Sequence, residues 1–302
     1  MRGMLVVIVC LVTLGTVEAQ RRERPKAQHR IEKNVVYGMY SGLALLMDVH
    51  HPDNPNGYGV IHVSGSGWTA PLSVDARQLK HSSHVRIEAW PLVKAGYTVF
   101  SINHRAAPRF HFPAPVEDAR RAVRFVRSKA ADYGIDADRI GAMGGSSGGH
   151  LVSMLALGDG NGDPTALSPI DRVSAKVQCV AARAVPVEIS GSSSLLLLGY
   201  RVMDRHREGS VERESAVAAS PISHVSADDP PMLLLHGDSD PVVPIEGARR
   251  LKAELEEAGV TVELIEIEGA GHGPGFRGGK QEVGAIYANV VRWMDTHLKV
   301  EK

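Results

Sequence analysis

Three residue types that together perform nucleophilic chemistry lie in glycine-rich or turn-rich segments of this chain. Ser146 and Ser147 lie between two pairs of glycines, Asp238 and Asp240 lie in a turn that ends in prolines, and His272 lies among glycines. A serine hydroxyl is a weak nucleophile unless a base removes its proton and a carboxylate orients that base. The chain therefore contains, in the order Ser, Asp, His, the groups that a nucleophilic serine site needs.

The serine pair lies between a predicted strand that ends near Met143 and a predicted helix that begins near Gly148. A G-x-S-x-G turn of this kind holds its serine in a strained backbone conformation, with the hydroxyl exposed above the edge of a sheet. Two registers fit the pattern: residues 144–148 centre it on Ser146, and residues 145–149 centre it on Ser147. The strand–turn–helix context leaves both registers open.

The elements that must position these groups are short apolar strands that alternate with amphipathic helices. The clearest helix is predicted over 115–134, which a proline opens and where apolar residues recur every three or four positions. An antiparallel pair is predicted over 34–38 and 43–52, ahead of the alternating part. This alternation predicts an α/β fold, a mostly parallel central sheet with helices on both faces. The serine, aspartate and histidine segments each follow a strand, and α/β folds bind ligands at the carboxyl ends of their strands.

Composition excludes several classes of function. The 302 residues are 43% hydrophobic, which is enough for a sizeable core, and Lys plus Arg equals Asp plus Glu at 34 each. This balance gives no reason to expect nucleic acid or a stable membrane partner. The 14 histidines form no HExxH or Cys/His ligand pattern, so no metal is predicted, and no phosphate-binding or dinucleotide-binding fingerprint calls for a cofactor.

The amino-terminal segment predicts export. Residues 1–19 have a positive start, an apolar run too short for a spanning helix, and a cleavage-like site ending at Ala19. We therefore expect a signal peptide over 1–19, a basic disordered leader over 20–33 and a secreted or periplasmic protein. An uncleaved membrane anchor is the alternative. Without the signal, Cys179 is the single cysteine, and its apolar surroundings predict a buried strand residue.

The combination of motifs resembles the α/β-hydrolase serine esterases, in particular the hormone-sensitive-lipase-like enzymes and the secreted feruloyl and acetyl-xylan esterases. The matching segments are SGSGW (64–68), 103–127, MGGSSGGH (143–150), 219–225, 230–244 and GAGHG (269–273). The resemblance implies an α/β-hydrolase domain over 34–302, with a lid or cap segment over 184–219.

The resemblance also implies a role for each candidate residue. Family members read G-x-S-A-G-G-H at the serine turn, which makes Ser146 the nucleophile and gives the alanine place to Ser147. The family's H-G-x-x-D-x-x-V-P makes Asp240 the acid that orients His272, and leaves Asp238 as a turn-capping residue. His150 then packs at the start of the helix.

Donors to an oxyanion follow from the same resemblance. They are the backbone N–H groups of Gly65, Ser66 and Ser147, and the resemblance gives the hydroxyl of Ser147 no role. The chain departs from the family here, because SGSGW replaces the usual H-G-G-G-W. This puts the loop geometry in question and leaves open that SGSG is only a flexible loop.

The chain departs from the family a second time at AVPVEISG (184–191). The leucines 195–198 that follow are expected to pack as helix core, with a lid surface as the alternative.

The expected function is hydrolysis of carboxylic esters through an acyl-enzyme, without a cofactor, on a small-molecule or polysaccharide-linked ester such as an acetyl or feruloyl group. The alternatives are a peptidase or amidase on the same fold and a non-catalytic binding module.

Overall fold

Eight strands of the described residues form one sheet in the order β1-β2-β4-β3-β5-β6-β7-β8. The computed structural model describes residues 29–190, 192–199 and 209–299. The strands are β1 (Arg30–Tyr40), β2 (Leu43–His51), β3 (Gly59–Val63), β4 (Thr98–Ile102), β5 (Ile140–Gly145), β6 (Cys179–Arg183), β7 (Met232–Gly237) and β8 (Val262–Ile267). β2 pairs antiparallel with β1 and β4, and every pairing from β4 to β8 is parallel.

The helices follow the strands as the alternation predicts. They are α1 (Trp90–Lys94), α2 (Ala114–Ser128), α3 (Ala130–Tyr133), α4 (Ser147–Leu157), α5 (Ser192–Leu198), α6 (Val211–Ala218), α7 (Ile245–Glu257) and α8 (Val283–Leu298). The helix predicted over 115–134 is divided into α2 and α3 at Lys129. Among the described residues, no helix has the length and apolar character needed to cross a membrane.

Two apolar clusters cover the two faces of the sheet, because successive strand residues point to opposite sides. Along β3, Val60 belongs to one cluster and Ile61 to the other, and β4 to β7 alternate in the same way. The first cluster includes residues of α2, α4 and α7, and the second includes residues of α1 and α8. The predicted α/β architecture with helices on both faces is confirmed. Cys179 is fully buried in β6 as an unpaired thiol, as expected.

The structure describes only some of the predicted domain boundaries. The signal peptide over 1–19 and most of the leader lie outside the described residues, so cleavage and export stay predictions. Strand β1 begins at Arg30, so regular structure starts four residues before the predicted leader ends. The pairing of Arg30 with His51 accounts for this, since the antiparallel ladder with β2 extends to the end of that strand.

Candidate active site

The turn between β5 and α4 holds a single residue, Ser146, at φ 55° and ψ −124°. Its backbone N–H donates to the carbonyl oxygen of Arg183 at the end of the neighbouring strand, at 2.7 Å. Glycine is required at position 148, because a Cβ there would lie 2.0 Å from the carbonyl oxygen of Val63. The positive φ and the close passage of helix and strand are the features expected of a strained nucleophile turn centred on Ser146. Ser147 instead begins the helix.

The three predicted groups meet at the carboxyl edge of the sheet. The Nε2 atom of His272 lies 3.0 Å from the Oγ of Ser146, and its Nδ1 lies 2.8 Å from Oδ2 of Asp240. A carboxylate only accepts hydrogen bonds, so Nδ1 carries the proton and Nε2 presents a lone pair to the serine hydroxyl. The imidazole is thus held in the tautomer that a base toward Ser146 requires.

Asp240 is held as a carboxylate by its hydrogen bonds. Its side chain is 1% exposed, and burial alone would raise its pKa. The N–H groups of Val242 and Val243, which lie 2.8 and 3.0 Å from Oδ1, and the His272 ring outweigh burial and lower the pKa of this carboxyl below its usual value. The neighbouring His236 donates from Nε2 to the carbonyl oxygen of Val243 at 2.8 Å.

Two polar residues near these groups have structural contacts that match their predicted roles. Asp238 accepts the N–H of Gly269 at 2.7 Å and so joins the aspartate turn to the segment that leads to His272. His150 is fully buried in α4. It accepts from the indole N–H of Trp68 at 3.1 Å and donates to the carbonyl oxygen of Ala219 at 2.7 Å. Burial lowers the pKa of His150 to about 4, so this ring is neutral and packs at the start of the helix.

The SGSG loop, residues 64–67, is anchored by side chains. The N–H of Gly65 donates to Nδ1 of His84 at 3.2 Å, so in this conformation it is directed to that ring. The N–H of Ser66 donates to Oγ of Ser147 at 2.8 Å. The Ser147 hydroxyl, which the sequence left without a role, therefore contacts the loop directly. This correction arises because positions 66 and 147 are distant in the chain and adjacent in space.

A buried charged network lies beneath the serine turn, and the sequence did not reveal it. Arg183 and Glu88 are both fully buried, and Nε of the arginine lies 2.7 Å from Oε1 of the glutamate. The other carboxylate oxygen lies 3.0 Å from His62 and 3.5 Å from His84. Burial would raise the pKa of Glu88, but Arg183 and the two histidines hold it well below its usual value. The one signal in the sequence was an arginine that ends the otherwise apolar strand CVAAR.

The lid or cap predicted over 184–219 is described only in part, since residues 191 and 200–208 lie outside the described residues. In α5 the leucines are divided: Leu197 and Leu198 are buried, and Leu195 and Leu196 are 47% and 42% exposed. The predicted packing as helix core therefore holds for two of the four. Leu196 lies beside the SGSG loop, with Cδ1 3.7 Å from where a Cβ on Gly67 would be. An apolar surface thus borders the loop.

Among the residues that the structure describes, no group of three or more His, Cys, Asp or Glu side chains is arranged to hold a metal ion. The site thus consists of a serine, a histidine and a carboxylate in line, a helix amino terminus and a glycine-containing loop. In chemical terms an arrangement of this kind is suited to activating a hydroxyl as a nucleophile toward an electrophilic carbon.

Comparison with known proteins shows that this chain is similar to esterases. The BD-FAE family model matches residues 47–255. The esterase LipQ of Mycobacterium tuberculosis (strain ATCC 25618 / H37Rv) is 33% identical over 225 residues, which are 70% of this chain and 49% of LipQ. The probable carboxylic ester hydrolase LipM of the same organism is 30% identical over 66% of this chain and 44% of LipM. The chain spans about half the length of these curated relatives.

Solved structures show the same fold over most of the chain. A truncated carbohydrate esterase from gut microbiota superimposes with a TM-score of 0.72 and 28% identity, covering 88% of this chain and 96% of the other. An acetyl ester-xyloside bifunctional hydrolase from Caldicellulosiruptor lactoaceticus gives a TM-score of 0.69 and 26% identity, covering 83% and 88% of the two chains. Esterase 2 of Thermogutta terrifontis gives a TM-score of 0.69 at 24% identity, which concerns the fold alone.

Proposed function

Since the chain belongs to the BD-FAE family of α/β-hydrolase serine esterases, we propose that it hydrolyses carboxylic esters with Ser146 as nucleophile, His272 as base and Asp240 as the orienting acid. One observation carries the proposal: the two hydrogen bonds that join Oγ of Ser146, the imidazole of His272 and Oδ2 of Asp240, at 3.0 and 2.8 Å. Such a relay serves to remove a proton from a hydroxyl, which a binding module does not need.

The reaction divides into two steps at one carbon atom. Oγ of Ser146 attacks the ester carbonyl carbon and its proton passes to Nε2 of His272, while the carbonyl electron pair moves onto the oxygen. Collapse of this oxyanion breaks the bond to the alcohol, which leaves with the proton from His272 and leaves an acyl-enzyme. Water then attacks the acyl carbon, His272 takes its proton, and the acid departs as Ser146 regains a proton.

Negative charge on the carbonyl oxygen needs hydrogen-bond donors. The N–H of Ser147 is one, because the first N–H groups of a helix have no partner within the helix and the helix amino terminus favours negative charge. The SGSG loop contacts the same turn through the hydrogen bond between the N–H of Ser66 and Oγ of Ser147.

The substrate class in this proposal rests on the activities of related proteins of known structure. Two of the structures with more than 25% identity are a carbohydrate esterase and an acetyl ester-xyloside hydrolase, which supports short acyl groups on a carbohydrate as the substrate. The exposed Leu196 of α5 beside the SGSG loop also favours an apolar acyl or alcohol group at that position.

Hydrolysis of p-nitrophenyl acetate, butyrate and octanoate by wild type and Ser146→Ala tests the reaction. We expect wild-type turnover that falls with chain length, loss of turnover in the variant, and labelling of Ser146 alone by a fluorophosphonate. Release of acetate from acetylated xylan and of ferulate from methyl ferulate then tests the substrate class. A folded wild type that neither turns over an ester nor reacts with the fluorophosphonate would contradict the proposal and favour the binding-module alternative.

A further inference from the structure

Two serines that replace smaller residues of the related esterases contact each other beside the nucleophile. Ser66 takes the place of a glycine in the H-G-G-G-W motif, and Ser147 takes the place of the alanine after the nucleophile. The N–H of Ser66 donates to Oγ of Ser147 at 2.8 Å, and Ser147 is 1% exposed. This contact needs a hydroxyl at position 147, because an alanine side chain has no acceptor.

The hydroxyl of Ser147 has a proton to give. A hydroxyl offers one donor and two acceptor lone pairs, and the contact with Ser66 uses one lone pair. Among the described residues no acceptor receives the proton of Ser147 Oγ. The N–H of Ser66 also polarises the hydroxyl, since hydrogen bonds in a chain strengthen one another.

The backbone donors expected in the SGSG loop are already engaged. The N–H of Gly65 is directed to Nδ1 of His84, and the N–H of Ser66 is directed to Ser147. Ser147 is the residue whose own N–H begins α4 next to the nucleophile. Its side chain therefore carries an O–H donor that lies next to the nucleophile and is in contact with the Ser66 N–H.

We propose that the hydroxyl of Ser147 donates a hydrogen bond to the oxyanion in place of the Ser66 N–H, which itself positions that hydroxyl. The inference rests on the proposed ester hydrolysis and adds a side-chain donor to its transition state. No proton is transferred in this contact, since the Ser147 proton stays on Oγ while the carbonyl oxygen gains negative charge.

The variants Ser147→Ala and Ser147→Cys test the proposal, because alanine has no donor and a thiol is a weak one. We expect kcat on p-nitrophenyl acetate to fall at least 10-fold in both, with KM within 3-fold of wild type, because the donor acts in the transition state. The loss of one such donor typically costs about 10²- to 10³-fold. The released Ser66 N–H takes over part of that role, so the expected loss is smaller.

Ser153→Ala is the matched control. Ser153 lies in the same helix, is fully buried, and donates its hydroxyl proton to the carbonyl oxygen of Gly149 at 2.8 Å, away from the reacting atoms. This variant measures what the loss of a buried serine hydroxyl in α4 does to folding alone. Its kcat is expected within 2-fold of wild type.

A trifluoromethyl ketone separates a donor from a merely structural residue. Its hemiketal with Ser146 carries an oxyanion where the transition state does, so its Ki should rise in the variants by the factor by which kcat/KM falls. A Ser147→Ala enzyme with a kcat equal to or above that of wild type would overturn the inference. The Ser66 N–H would then be the donor to the oxyanion, and the Ser147 hydroxyl would only accept from it in the free enzyme. A fall in kcat with unchanged Ki would overturn it too. An inactive wild type would refute the proposed function, and this inference with it.

Discussion

Replacing Asp240 with asparagine exchanges one side-chain oxygen of the proposed triad for an NH₂ group and is expected to leave the fold intact. Oδ1 of Asp240 accepts the N–H groups of Val242 and Val243 at 2.8 and 3.0 Å, and Oδ2 faces Nδ1 of His272 at 2.8 Å. The amide of Asn has one oxygen and one NH₂ group. Its oxygen must face the two N–H groups, since the opposite orientation would set the NH₂ group against them and lose both hydrogen bonds, at about 0.5–1.5 kcal/mol each.

The orientation of the amide decides the tautomer of His272. With NH₂ directed to Nδ1, that nitrogen must accept, and the imidazole proton moves to Nε2, where it faces Oγ of Ser146. The ring is then no longer a base toward the serine. We expect kcat to fall by about 10⁴-fold, the loss typical of this change in a serine triad, which corresponds to about 5 kcal/mol of transition-state stabilisation.

Initial rates on p-nitrophenyl acetate at pH 7.5, with urea unfolding in parallel, measure this effect. Asp238→Asn is the matched control, because Asp238 lies in the same turn and accepts the N–H of Gly269, which an asparagine oxygen also accepts. We expect the control to keep kcat within 3-fold of wild type. If Asp240→Asn folds and keeps more than a tenth of the wild-type rate, Asp240 does not fix the tautomer and the assignment of the acid is wrong.

Two further predictions concern buried ionisable groups. Glu88→Gln leaves the fully buried Arg183 guanidinium without its counter-charge. We expect urea unfolding to show that the free energy of unfolding falls by about 3–5 kcal/mol. A fall of less than about 1 kcal/mol would mean that Glu88 and Arg183 are not a charged pair. His150 has a pKa lowered by burial to about 4 against an ordinary value of 6.5, so only the unfolded chain binds a proton between these values and stability falls as the pH falls from 6.5 to 4. At pH 5 this lowers the free energy of unfolding by about 2 kcal/mol. Urea unfolding at pH 7 and pH 5 should therefore show a smaller loss of stability for His150→Gln than for wild type. An equal loss in the two proteins would show that His150 is protonated in the folded protein.

The fold was predictable because its signals are local. The strands before Ser146, Asp240 and His272 have six residues each, and each is followed by turn residues. The first two are fully buried, and the third carries glutamates among its apolar residues. Parallel pairing brings their carboxyl ends to one edge, so strand recognition alone was enough to place the three groups together. The strand–turn–helix pattern left Ser146 and Ser147 open, and the family resemblance favoured Ser146. The structure adds a backbone criterion, since of the two only Ser146 has a positive φ.

The network under the site was not predictable because its signals are not local. Glu88 and Arg183 are separated by 95 positions in the chain and pair in the interior. In the sequence each is an ordinary charged residue, and a charged residue is mostly found at the surface. Only the packing of the segment before α1 against the end of β6 reveals that both are buried.

The departure from the family's glycine motif acquires a physical explanation from the same non-local contacts. At Ser64 the hydroxyl accepts a hydrogen bond from Ser82 at 2.8 Å, at Gly65 the N–H is bound by His84, and at Ser66 the N–H is bound by Ser147. Three consecutive residues are thus each anchored by a side chain from elsewhere in the chain, which favours a positioned loop over the alternative that SGSG is only a flexible one. A loop held in this way does not rely on the histidine and the middle glycine of H-G-G-G-W for its position. Because Ser82 and His84 lie in the segment that leads to Glu88, the buried ion pair with Arg183 fixes both the loop and the serine turn, and one network sets their relative position.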